Sequence, residues 1–157
     1  MKPEWADQRE DPHTIDLSDE DLDVVRYYVQ WLYSDKIEDS LDPTYVGLAK
    51  AYIFGDKRLD VSFRNAILNN YVALSMKHET YPGPEALGII YAGTRPGSSL
   101  RRLLVSQYVY EVHDADEWQQ EIPLYPQEFM AEVLQAIIKG KWLPKEKWTN
   151  SIDGFLE

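Results

Sequence analysis

From Leu22 onward the apolar residues of this chain recur every three or four positions, in runs of a few turns separated by clusters rich in proline, glycine and aspartate. That period matches the helical repeat and not the two-residue alternation of a strand, so it commits most of the chain to α-helix. The first run, about Leu22 to Tyr33, places Leu22, Val25, Val29 and Leu32 on one stripe and Val24, Tyr28 and Trp31 on an adjacent one. An apolar arc that wide predicts a helix packed on more than one side. Ser18 followed by Asp21 reads as a variant capping box at its start, and Asp19, Glu20 and Asp21 favour the positive end of the helix dipole.

A second helix is expected from Pro43, where a missing N–H is harmless, through Leu48 and Ile53 to a stop near Gly55 or Asp56-Lys57. A third carries Val61, Phe63, Ala66, Ile67 and Tyr71 to Leu74, and Pro82-Gly83-Pro84 breaks the pattern. A fourth runs from Pro84 to about Tyr91, and after "GTRPGSS" a fifth opens with Ser98 or Ser99 as cap and carries Leu100, Leu103, Leu104, Gln107, Tyr108 and Val112. The last strong run, Gln127 to Lys139, contains Phe129, Val133, Leu134, Ile137 and Ile138 and ends at Gly140. Only Thr14-Ile15-Asp16-Leu17 alternates in the manner of a short strand.

Composition narrows the function. With 157 residues the chain has the length of one domain, and a hydrophobic fraction of 44% with five tryptophans and eleven tyrosines is too apolar for a disordered one. A formal charge of -11 repels nucleic-acid backbones and anionic lipid, which leaves proteins or cations as partners. Zero cysteines exclude disulfides, thiolate metal sites and a cysteine nucleophile. A polar start and the lack of a long apolar run predict neither a secretory signal nor a membrane span, and hence a cytoplasmic or nuclear location.

The order of these pieces resembles the BTB/POZ domain in its filamentous-fungal form. Ile15-Asp16-Leu17 looks like the last short strand of that domain, and Asp23, Val25, Tyr28, Val29, Trp31, Leu32 and Tyr33 match its "D-x-x-x-F-x-x-Y-L-Q-W-L-Y-T-G" helix, with Val25 for the usual aromatic. "LAKAYIFGDKRLDVSFRNAILNNYV" is similar to the next family segment, through Tyr52, Gly55, Asp56, Lys57, Phe63, Arg64 and Asn65. "IIYAGTRPGSSLRRLLV" resembles the segment that succeeds the domain in those proteins, so the likeness runs from about Trp5 to Val112.

The resemblance implies a mainly α fold: the C-terminal helical portion of an α+β domain, with one short residual strand, followed by additional helices. It divides the chain into a partial BTB/POZ domain at 1–80 and a helical extension packed on it at 81–157. The family's first strand pair and helical hairpin have no counterpart here, which implies a start in mid-domain and puts homodimerisation by the family's usual interface in doubt. If Met1 is the true start, the "TIDL" edge and part of the helix core lack partners, and low stability or dependence on another chain follows. Related animal domains that bind cullin scaffolds place a hydrophobic-x-Glu contact where this chain has Ile37-Glu38-Asp39. The candidate partner contacts are therefore Tyr33, Ile37, Glu38 and Asp39, although the third motif position holds aspartate and the ordinary reading of the loop is a solvated turn.

Other candidate sites each have an ordinary explanation. His113, Asp114, Asp116 and Glu117 have metal-ligand chemistry but no second histidine nearby, and acidic loops after helices are common. His13 and His78 lack a serine and an acid in triad spacing. Ser98 and Ser99 ahead of Arg101 and Arg102 could seat a phosphate, but without a P-loop the arginines are expected to pair with the abundant acids. The "KGKWLPKEKW" run could stack on bases or sit at a membrane surface; its tryptophans are expected to fold back onto the helices instead. No cofactor, metal or catalytic constellation is expected. The resulting expectation is a protein–protein interaction module, as a cullin-based ubiquitin-ligase adaptor or, alternatively, a homotypic or heterotypic assembly module in a transcription-associated complex, with a metal-dependent enzyme as the reading from another class.

Overall fold

The computed structural model describes residues 19–38, 41–111, 120–140 and 156. Among them are six α-helices and no strand: α1 (Leu22–Ser34), α2 (Tyr45–Lys57), α3 (Val61–His78), α4 (Pro84–Gly93), α5 (Ser99–Glu111) and α6 (Gln127–Lys139), with a 3-10 turn at Ile122–Leu124 before α6. The chain is mainly α, as the periodicity requires. The expected strand at 14–17 lies outside the described residues.

Local chemistry sets the helix ends. Asp21 is the N-cap of α1, its carboxylate accepting the Asp23 N–H at 3.0 Å; Ser18, expected in that role, lies outside the described residues. α2 begins two residues after Pro43 because Thr44 supplies the cap, its hydroxyl accepting the Gly47 N–H at 3.0 Å. Asp60 caps α3 through the Phe63 N–H at 2.9 Å, and α3 runs four residues past Leu74 to end at Glu79 in the left-handed region. Pro84 opens α4, Ser98 precedes α5 with its hydroxyl near the Arg101 N–H, and Gly140 closes α6.

α2 is the centre of the fold, packing against α1, α3 and α4, while α5 and α6 pack together and both touch α4. Leu48, Ala49, Ala51, Tyr52 and Phe54 are all buried, which takes up most of the circumference of α2. Gly47 and Gly55 permit that enclosure. A Cβ at Gly47 would stand 2.9 Å from the Tyr27 hydroxyl, and one at Gly55 2.9 Å from Arg64 Cγ.

Two aromatic nests fill the interior. In the first, Tyr28 of α1 meets Phe54 of α2 and Phe63 of α3, each with ring centroids 5.0 Å apart, and Trp31 adds a contact to Phe63 at 5.3 Å. In the second, Phe129 of α6 receives Tyr108 of α5 at 4.8 Å, Tyr91 of α4 at 5.5 Å and Tyr125 at 5.9 Å. These edge-on arrangements suit the aromatic quadrupole. A polar chain joins α2, α3 and α5: Gln107 Nε2 donates to Ser75 Oγ at 2.8 Å, and Ser75 Oγ lies 2.9 Å from Tyr45 Oη.

Tyrosine hydroxyls then fasten the loops. Tyr45 donates to the Thr80 carbonyl at 2.6 Å, Tyr71 to the Tyr45 carbonyl at 2.6 Å and Tyr108 to the Pro82 carbonyl at 2.5 Å, while Tyr91 donates to Glu132. Arg101 is 2% exposed. Its guanidinium donates to the Tyr91 carbonyl at 2.9 Å, to the Thr94 carbonyl at 2.6 Å and hydroxyl at 2.9 Å, and to Glu128 at 2.7 Å, with Glu132 at 3.7 Å. The arginine thus pairs with acids, as expected from the sequence, and satisfies the end of α4 as it does so.

Arg101→Met leaves the Tyr91 and Thr94 carbonyls without their donor and is expected to cost about 3–5 kcal/mol in urea unfolding, whereas Glu128→Gln, at a half-exposed carboxylate, costs about 1 kcal/mol or less. A second expected outcome concerns alkaline pH. Burial raises the Tyr71, Tyr91 and Tyr108 hydroxyls well above their ordinary value and, with the bond to Glu121, pushes Tyr125 up to about 12. A raised pKa means that the folded state keeps protons the unfolded chain releases, so this stability is complete below about pH 10 and falls above it. Unfolding monitored by circular dichroism is expected to lose stability at up to about 1.4 kcal/mol per pH unit for each such tyrosine, with the tyrosinate absorbance of these four appearing together with unfolding, after that of exposed tyrosines such as Tyr33.

Candidate interaction surfaces

α1 carries two apolar faces, and the described residues cover one. Val24, Tyr27 and Tyr28 are buried and Trp31 packs half-buried beside them. The other face is open: Leu22 is 71% exposed, Val29 40%, Leu32 55% and Tyr33 89%. The expectation of a helix packed on more than one side is therefore corrected; among the described residues it packs on one. Tyr27 joins the core although neither expected stripe included it, because its ring seats against Gly47, where a larger residue would stand in its way.

Charges at the start of α1 are paired off. Lys50 Nζ lies 2.6 Å from Asp21, Arg58 lies 3.4 Å from Glu20, and Arg26 lies 3.8 Å from Asp23. The hydrogen bond from Lys50 holds the Asp21 carboxyl below its usual range and lifts the ammonium above its own. The outward stripe is thus mainly apolar, with the exposed Arg26 between Leu22 and Val29 as its charged member.

At the other end the chain reverses sharply. Asp35 adopts a left-handed conformation (φ 53°) and its N–H donates to the Trp31 carbonyl at 2.8 Å. The Ser34 hydroxyl bonds to the carbonyls of Gln30 at 2.9 Å and Lys36 at 3.0 Å, and the Glu38 N–H donates to Gln30 Oε1 at 2.9 Å. That reversal turns Ile37 inward. At 6% exposure it belongs to the core and offers little surface of its own: in a tight turn capped by its own helix the apolar side chain finds a dry seat. Glu38 is exposed, and Asp39 lies outside the described residues. The three described candidates are placed differently. Tyr33 belongs to the outward stripe, Glu38 to the turn, and Ile37 supports the turn from beneath.

Beside Ile37 lies a feature that sequence reasoning missed: an open groove of about 450 Å³ between the end of α1 and α3. Trp31, Asp35, Lys36 and Ile37 line one side, and Ser62, Asn65, Asn69 and Asn70 the other. The available signal was the recurrence of Ser62, Asn65 and Asn69 at three- and four-residue spacing, which puts short polar side chains on one face of α3.

The remaining candidates resolve simply. Ahead of α5 a smaller groove of about 340 Å³ is lined by Asp56, Arg64, Arg95 and Ser98. Its cationic groups already face a carboxylate, since Arg64 lies 2.5 Å and Arg95 4.0 Å from the same Asp56 oxygen. Arg101, one of the arginines considered for phosphate, points into the core, and Arg102 donates to Ser99 Oγ at 3.2 Å. His78 ends α3. His13, the His113-Asp114-Asp116-Glu117 cluster and the lysine–tryptophan run after Gly140 lie outside the described residues. Among those described, no group of three or more His, Asp or Glu side chains is gathered as a metal site, and no helix is long and apolar enough to cross a membrane.

A stability comparison separates support from surface. Ile37→Ala is expected to destabilise by about 2–4 kcal/mol in chemical denaturation, and Tyr33→Ala to stay within about 0.5 kcal/mol of the parent.

No protein-family model, no curated protein and no solved structure matches the chain.

Proposed function

We propose that the chain is a protein–protein interaction module of BTB/POZ type that docks its partner on the outward face of α1 and the turn after it. The observation that carries this reading is the second apolar face of α1, Leu22, Val29, Leu32 and Tyr33, exposed along the length of a helix whose opposite face is in the core. Apolar area left in water favours association at about 25 cal/mol per Å² once covered, and contiguous exposed apolar surface marks sites of interaction. Tyr33 has the residue chemistry of an anchor, a large rigid ring with one polar end.

The specific form is an adaptor for the cullin scaffold of a ubiquitin ligase, with Tyr33 and Glu38 as contacts and Ile37 holding the turn that presents them. The motif match through "YYVQWLY" and "GDKRLDVSFRNA" supports this form. Co-purification of the native full-length protein is expected to recover a cullin, with recovery reduced at least tenfold by Leu32→Asp or Tyr33→Ala while the melting temperature is kept. A purified complex without a cullin removes the adaptor form. Recovery of a second BTB-type chain in its place moves the function to homotypic or heterotypic assembly.

A further inference from the structure

We infer that the outward face of α1 pairs with the same face of a second copy of this chain, the two helices lying antiparallel about a two-fold axis. The inference rests on the reading of that face as the docking site and adds a regulation to it, since a face paired with its own copy is closed to any other partner.

The face is self-complementary. Leu22, Val25, Val29 and Leu32 recur at intervals of three, four and three residues, the spacing of a coiled-coil seam. That spacing reads the same in both directions, and so does the order leucine, valine, valine, leucine. A reversed copy therefore sets Leu22 against the second copy's Leu32 and Val25 against its Val29, and the two-fold axis repeats both contacts. Leu22, Val29 and Leu32 are exposed and Val25 is half-buried, so among the described residues nothing closes the seam.

The residues beside the seam select the direction. Arg26 and Tyr33 stand seven positions apart, two turns along the same side of it. In the antiparallel arrangement Arg26 lies across from the second copy's Tyr33, and a guanidinium over an open aromatic ring is a favourable contact that the axis makes twice. Arg26 is free to turn that way, because its pairing with Asp23 at 3.8 Å is between two exposed side chains. A parallel pair would lay the acidic first turns, with Asp19, Glu20, Asp21 and Asp23, side by side. The antiparallel pair puts them at opposite ends and opposes the two helix dipoles.

The size of the face sets the strength. A helix of 13 residues offers a strip about 20 Å long and about 10 Å wide, well short of the roughly 800 Å² that each partner buries in a stable complex. The pair is therefore weak and reversible: it forms as the concentration rises and gives way to a partner that binds more tightly.

The test uses the purified full chain. Sedimentation equilibrium is expected to show monomer and dimer with a dissociation constant of about 10–100 µM. Leu32→Asp and Arg26→Glu, at exposed positions, are expected to keep the parent melting temperature and to weaken the dimer about tenfold or more. Because the chain has no cysteine, engineered ones report the direction. Under mild oxidation a mixture of Leu22→Cys and Leu32→Cys chains is expected to give a disulfide-linked dimer holding one of each. Neither alone is expected to link, since ten residues of helix put like positions about 15 Å apart. A chain that stays monomeric up to about 500 µM, association indifferent to Leu32→Asp, or Leu22→Cys linking to itself overturns the inference. Co-purification with a cullin tests the docking reading separately, so either can fail while the other stands.

Discussion

The C-terminal half is organised by a single buried cation. The Arg101 guanidinium sits almost entirely out of water, where an unpaired charge would be prohibitive, so the surrounding residues must supply acceptors. They do so from both sides of α5: carbonyls at the end of α4, a hydroxyl at Thr94, and carboxylates from α6. α4 ends at Thr94, whose N–H and hydroxyl take the Ile90 carbonyl, and the arginine takes the carbonyls of Tyr91 and Thr94 beside it. α6 is aligned by the same group, and Glu132 passes the connection on to Tyr91. The crossing of α4, α5 and α6 is therefore fixed by geometry that apolar packing alone does not specify.

The N-terminal half is organised by space. α2 can be enclosed by three helices because glycine or alanine stands at its points of closest approach, and Tyr27 and Arg64 occupy the room that side chains at Gly47 and Gly55 would have taken. Tyrosine suits such a fold. Its ring fills volume between helices while its hydroxyl reaches a backbone carbonyl at the margin, so one residue both packs and pins. The same burial that makes these hydroxyls useful as ties prevents them from ionising in place.

Periodicity made the helices legible, since each expected run corresponds to one observed helix and the turn clusters at Pro82-Gly83-Pro84 and around Gly97 fall between them. Boundaries were less legible where a side chain decided them. Thr44 displaced Pro43 as the start of α2 because a hydroxyl cap satisfies a free N–H that proline only avoids needing. The surfaces were the least legible. Stripe assignment shows that Leu22, Val29 and Leu32 are aligned but not which stripe finds a neighbour, because that depends on where α2 and α3 come to lie. Ile37 was illegible for a related reason: its contact role was carried over from a motif position in related domains, which says nothing of the left-handed residue at Asp35 that reverses the chain and buries the side chain. The groove went unseen because Trp31 and Asn69 are far apart in sequence and share no motif.

Asp60 has one carboxylate with two tasks. One oxygen caps α3 through the Phe63 amide, and the other lies 3.4 Å from the Tyr28 hydroxyl of α1. The first turn of α3 and the docking of α1 are thus coupled through a single side chain. Before that turn has formed, the carboxylate has no fixed direction and Tyr28 no fixed partner. Once it has, the same side chain tells α1 where along the molecule to settle. Two helices separated by most of the length of a third acquire a common reference point, so the placement of α1, and with it the direction in which its outward face looks, is set at the turn between α2 and α3.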